Sequence, residues 1–144
     1  MTTQRLLLSM GLALSVGAAQ ACKCVQPMTP ARQFARAQAV ITGVVETLEP
    51  VDAAAGAMKA TVRVEHAWKE APAGPVTVIT DGTCAVPLAP GQHYLLYLQP
   101  LSPSTYATDR CSGSASVESS KRALRWLQRR ASSGASAASS APIR

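Results

Sequence analysis

Residues 21–27 read Ala21-Cys22-Lys23-Cys24-Val25-Gln26-Pro27. This pair of cysteines, one residue apart and directly behind an apolar run, governs how the rest of the chain can be arranged. Ahead of it stand Arg5, an apolar run from Leu6 to Ala19, and Ala19-Gln20-Ala21, a small-x-small ending of the kind at which leaders are cut. Residues 1–21 therefore read as a signal peptide, and Cys22 as the first residue of the mature chain. The run is too short for a membrane span, and no later stretch approaches the roughly 20 apolar residues that one needs. No transmembrane segment is expected, and the mature protein should be secreted, periplasmic or extracellular. A cysteine directly behind a leader can also be lipidated, but Gln20 and the absence of Leu at 19 fit such a site poorly.

Export decides how the cysteines are read. In an oxidising compartment the even set Cys22, Cys24, Cys84 and Cys111 reads as two disulfides, for which three connectivities exist. Residues one apart rarely bond each other, because the bridge would be forced from its preferred Cα separation, so Cys22 and Cys24 should each reach a distant partner. A zinc site fits less well. Zinc ligands come in pairs spaced by two or more residues, and Cys84, Cys111, His66 and His93 stand singly in the sequence. No cofactor is expected.

About 120 mature residues suit one domain with its own core. Arg5 is one of 14 basic side chains, so its removal leaves 13 against 8 acidic ones, a net charge of +5 that permits anionic partners without demanding them.

The body of the chain reads as strands. Thr29-Pro30 opens a helix, with Thr as N-cap and Pro in the first turn, and the polar Gln38 limits it to about two turns. Residues 40–48 are rich in β-branched side chains and read as a strand that Glu49-Pro50 ends. Ala60, Val62, Val64, His66 and Trp68 alternate with polar neighbours in a half-buried strand. Three more strands follow at Val76 to Thr80, His93 to Leu98 and Thr105 to Cys111. Ser116 can cap a final helix with an inward stripe of Val117, Ser120, Leu124 and Leu127. Beyond Arg130 the Ala/Ser-rich residues 131–144 are expected to be disordered. A mainly β fold follows: five strands with a short N-terminal and a C-terminal helix, suited to a small OB-like barrel or to a β-sandwich.

A mature chain that begins Cys-x-Cys, then runs through "QFARAQAVI", a strand hairpin, a third cysteine, "YLLYL" and a fourth cysteine resembles the netrin-like module of the tissue inhibitors of metalloproteinases. The likeness extends over residues 22–130. It implies an OB barrel, with Cys22 paired to Cys84 and Cys24 to Cys111, in a single-module, bacterial-type version of the family. It also implies a mechanism. The processed Cys22 would offer its α-amine nitrogen and carbonyl oxygen to the open position of a target protease's zinc. A free α-amine titrates near 7.7 to 8, so near neutrality part is already deprotonated and the metal draws the rest. Lys23 would point into the protease pocket, Cys24 and Val25 would continue the wedge, and Thr83, Cys84 and Ala85 would flank it. The partner would be a secreted zinc metalloprotease or another extracytoplasmic protein, met by a monomer. Lys23 departs from the small polar residue usual at that place, and Ala35 stands where the family's third bridge would need a cysteine.

Other residues carry less. His66 on its strand's apolar face reads as a core or rim histidine, and His93 at a strand start is no stronger as a ligand. Asp81 and Asp109 join no Ser/His/Asp or paired-carboxylate pattern, so no enzyme is expected. The alternative function is adhesion or docking, with polyanions or a protein bound through Lys121, Arg122, Arg125, Arg129 and Arg130. Aromatic residues for stacking bases are scarce, and no nucleic acid is expected as partner.

Overall fold

The computed structural model describes residues 22–25, 28–52, 54–70 and 72–139, with side chains to residue 134. The leader assigned to 1–21 lies outside the described residues, as do 140–144. Helix α1 (Pro30–Arg36) is followed by β1 (Ala39–Asp52), β2 (Ala57–Lys69), β3 (Val76–Thr80), β4 (His93–Ser102), β5 (Thr105–Ala107), a two-residue β6 (Ala115–Ser116) and helix α2 (Lys121–Ser139). β1 pairs with β2, β2 with β3, β3 with β5, β5 with β4, and β4 returns to β1. The five strands close into a barrel with OB-type order, and β6 adds to the open side of β4. All contacts are antiparallel except β3 with β5.

Both faces of β4 are buried from Tyr94 to Leu98, which is why "YLLYL" is apolar without alternation. Tyr94, Leu96 and Leu98 point into the barrel with Ala39, Ile41, Val45, Val62 and Val78. Leu95 and Tyr97 point out, and with Val40 and Leu127 they form a second core beneath the helices, joined by Phe34, Trp68 and Trp126. At Gly43 the β1 backbone comes too close to β2 to leave room for a side chain. A Cβ there would lie 2.6 Å from the Arg63 carbonyl oxygen and 2.8 Å from Val62 Cγ1.

Four boundaries differ from the expectations above, each for a local reason. β1 continues through Pro50 to Asp52, because beyond Val44 it has β2 on one side only, the edge setting that tolerates proline. The last strand stops at Ala107, and Cys111 sits instead in a 3-10 turn, Arg110–Ser112, capped by Asp109, whose Oδ1 accepts the Ser112 N–H at 2.7 Å. Ser116 does cap, accepting the Ser119 N–H at 3.3 Å, but it caps a 3-10 turn at Glu118–Ser120 that leads into α2. Finally, α2 runs past Arg130 to Ser139 where disorder was expected. Alanine has the highest helix propensity and carries the extension, and the intervening Ser132 and Ser133 are accommodated by donating their hydroxyls back to the Gln128 and Arg129 carbonyls at 3.0 and 2.9 Å.

α1 starts as expected, with Thr29 Oγ1 accepting from the Arg32 N–H at 3.4 Å and Pro30 in its first turn. Its carboxyl end is closed by Lys69 of β2, whose Nζ donates to the carbonyls of Ala37 at 2.5 Å and Phe34 at 3.0 Å. Two buried side-chain groups, the Trp68 indole N–H and the Tyr97 hydroxyl, lack any hydrogen-bond partner among the described residues. Burial pushes the pKa of the Tyr97 hydroxyl up. Removing an orphaned hydroxyl relieves its desolvation cost, so Tyr97→Phe is expected to raise stability by about 1 kcal/mol, measured by urea unfolding. A loss of stability would mean that the hydroxyl has a bonding partner after all.

Candidate functional site

The site is built by two sulfur bridges. Cys22 bonds Cys84, with Cα atoms 4.8 Å apart, and Cys24 bonds Cys111, at 5.4 Å. This is the pairing that the resemblance implied, and every described cysteine is used. The bridges span 62 and 87 residues, so the first described residue is held against the turn after β3 and the third against the 3-10 turn after β5.

Both anchor turns are themselves fixed. Gly82 adopts φ +67°, and the Ala85 N–H donates to its carbonyl at 3.2 Å, closing the turn that carries Cys84. The Val86 N–H donates to Thr80 Oγ1 at 2.8 Å, and Val86 and Leu88 insert into the barrel. Arg110 ties one turn to the other. Its N–H donates to the Cys84 carbonyl at 2.9 Å and its Nη2 to the Thr83 carbonyl at 3.0 Å. Behind them, Thr108 Oγ1 donates to the Tyr97 carbonyl at 2.8 Å, and Ser114 Oγ accepts the Tyr97 N–H at 2.8 Å. Mobile residues held by rigid neighbours lose less entropy on binding a partner.

Among the sequence-predicted residues, Cys22, Lys23, Cys24 and Val25 thus come together with Thr83, Cys84 and Ala85 along one edge of the barrel. Lys23, Cys24, Val25 and Thr83 are exposed, and Val25, at 98% exposure, presents a β-branched apolar side chain to solvent. An adjoining groove is lined by Lys23, Val25, Met28, Arg32, Arg36 and Cys111, so the edge continues into a cationic and apolar flank on α1.

The basic helix does not act as one face. Lys121 pairs with Glu118 at 3.2 Å, and the Arg130 guanidinium lies over the rings of Phe34 at 4.7 Å and Trp126 at 5.7 Å. Arg122, Arg125 and Arg129 are exposed, share one side of α2 and have no ion pair among the described residues. His66 is an exposed rim residue with its ring 4.1 Å from that of Trp68, and His93 Nδ1 lies 2.9 Å from a Glu65 carboxylate oxygen.

Sequence reasoning missed a second concavity. Phe34 of α1, Trp68 of β2 and Trp126 and Arg130 of α2 line a groove of about 640 Å³, with Phe34 and Trp126 in edge contact at 5.6 Å. The available signal was the four-residue spacing of Trp126 and Arg130, which puts a ring and a guanidinium on one helix side.

Neither the protein-family models nor the curated proteins searched include a match to this chain. Among the described residues no helix is long and apolar enough to cross a membrane. Two disulfides are compatible with an extracytoplasmic protein.

Proposed function

We propose that the chain is a secreted, inhibitor-like, protein-binding module whose processed first residue, Cys22, chelates the catalytic zinc of a metalloprotease through its α-amine and carbonyl. The observation that carries the reading is the covalent anchoring of Cys22 to Cys84 beside an exposed Lys23 and Val25. Chelation requires a terminus that is uncovered yet held in place, since a free one would lose its ordering entropy on binding. The likeness of residues 22–130 to the netrin-like inhibitors supplies the chemistry, and two shared bridges support it. Lys23 narrows the target. Its ammonium would enter the protease's specificity pocket, so the favoured protease has an acidic or solvent-open pocket in place of a closed apolar one.

The test compares inhibition of a panel of secreted zinc proteases by protein starting at Cys22 and by protein with one alanine added ahead of it. The added residue removes the amine from chelating reach, and inhibition should fall by about 100-fold or more, a loss of roughly 2.7 kcal/mol. Equal potency of the two forms, or none from either, overturns the proposal.

A second reading rests on Arg122, Arg125 and Arg129, three guanidinium groups on one exposed side of α2. They suit a polyanion such as a sulfated polysaccharide. Binding to immobilised heparin should weaken steeply with added salt, drop when all three become Gln, and be indifferent to the extra alanine. Heparin binding unchanged in the triple variant would remove this reading.

A further inference from the structure

The fold gathers all four cysteine sulfurs into one cluster, which their scattered sequence positions conceal. Cys22 Sγ lies 3.9 Å from Cys24 Sγ and 3.6 Å from Cys111 Sγ, and Cys111 Sγ lies 3.7 Å from Cys84 Sγ. None of these three contacts is a bond. Each joins one disulfide to the other. A zinc ion with four thiolate ligands at about 2.3 Å sets its sulfurs at the corners of a tetrahedron whose edge is about 3.8 Å. Three of the four cross-bridge contacts already have about that spacing, and Cys22, Cys84 and Cys111 lie within the reach of a single ion, with Cys24 beside Cys22 as the fourth ligand to be drawn in.

We propose that reduction converts this double staple into a four-cysteine metal site, so that a soft divalent cation, zinc by preference, holds the leading edge in place when the disulfides do not. The chemistry balances with a phosphine as reductant. Each disulfide accepts two electrons and two protons from one phosphine and one water, giving two thiols and a phosphine oxide. One zinc ion then displaces four protons from four thiols and forms four zinc–sulfur bonds. An exported dithiol would serve in the same way, one molecule being oxidised to its disulfide for each bridge reduced.

Charge supports the site. Four thiolates around a divalent ion leave two negative charges. Lys23 lies between two of the ligands in sequence, and Arg110, next to Cys111, already reaches the Thr83 carbonyl beside Cys84 at 3.0 Å. Cationic neighbours of this kind favour thiolate over thiol. Access is also provided, for Cys24 is exposed and the other three are only partly buried. Parting the bonded pairs to the spacing of the unbonded ones needs only small movements of turns that lie at the barrel's surface. The proposal rests on the sulfur cluster alone, not on protease inhibition.

The test uses the protein as exported and purified, oxidised or reduced with a phosphine in metal-free buffer, with cobalt(II) as the probe and zinc as competitor. The reduced form is expected to bind one cobalt per chain with the intense sulfur-to-metal absorption of tetrahedral thiolate coordination, and zinc should displace it in equal amount. The metal-loaded form should recover the near-ultraviolet dichroism of the oxidised protein. Cys84→Ser and Cys24→Ser should each weaken cobalt binding in the reduced state by more than roughly 100-fold, beyond the 10- to 100-fold cost of losing an outer-shell partner. Binding no tighter to the reduced than to the oxidised form overturns the proposal. So does a cobalt spectrum unchanged in Cys84→Ser, or a metal-bound chain without fixed tertiary structure. The alanine-extended protein keeps all four ligands, so loss of inhibition there leaves this result untouched.

Discussion

Replacing Cys24 and Cys111 together by alanine is expected to lower the free energy of unfolding by about 2 to 4 kcal/mol, even with the other bridge intact. The cysteines are separated by 87 residues, a loop that taken alone would restrain the unfolded chain by over 4 kcal/mol in the chain-entropy model. The Cys22–Cys84 bridge already closes 62 residues of nearly the same segment, so the second link adds less than its full loop value. For a domain of this size the melting temperature should drop by roughly 10 °C. The native state loosens too. Without the second bridge, residues 23–25 have no covalent hold beyond Cys22, and amide exchange there should accelerate while the barrel strands keep their relative order of protection. A melting temperature within about 2 °C of the parent would show that the packed turns hold the leading edge without the bond.

The second large effect is in the barrel itself. Leu96→Ala should cost about 3 kcal/mol, within the range of 2 to 5 for buried leucines. Leu96 is fully buried, faces the interior and stands opposite Ile41 across the β1–β4 ladder. Closed barrels collapse poorly around a deleted side chain because hydrogen-bonded neighbours fix every wall. The contrast is Leu101 near the end of the same strand, which is 58% exposed and should lose under about 0.5 kcal/mol on the same change. Equal costs at the two sites, by denaturant unfolding, would contradict a filled barrel interior.

The strands were legible where one face is wet. Ala60, Val62 and Val64 alternate with exposed or half-exposed neighbours, so both the element and its inward face could be read directly. β4 was legible as a strand but not as the wall shared by two cores, because a run buried on both sides carries no period. The boundary of β5 was lost to a side chain: Asp109 caps a turn, and no backbone propensity in "TDRCS" announces it. The composition of residues 131–139 pointed away from a buried segment, which is true of 131–134, yet alanine can continue a helix that has already been nucleated by packing at Leu124 and Leu127.

At the candidate site, residue types were readable and proximity was not. Cys22 and Cys24 announced themselves by crowding, and the sequence alone left their partners open until the resemblance supplied a pairing. Spacing along the chain carried no information on proximity in space, since β3 and β5 run side by side and bring the segments after them to one end of the barrel. The aromatic groove was hidden for the same reason. Phe34, Trp68 and Trp126 come from three elements with no local pattern in common.

The order in which the cysteines are made has a consequence for how the molecule matures. A ribosome delivers Cys22 and Cys24 long before Cys84, and Cys111 last, yet neither early thiol belongs with the other. Until Cys84 emerges, the one bond open within the chain is the strained and incorrect Cys22–Cys24 pairing. The Cys24–Cys111 bridge must wait until nearly the whole barrel sequence has emerged, so the yield of correctly bridged protein should depend on whatever enzyme reshuffles mismatched bonds.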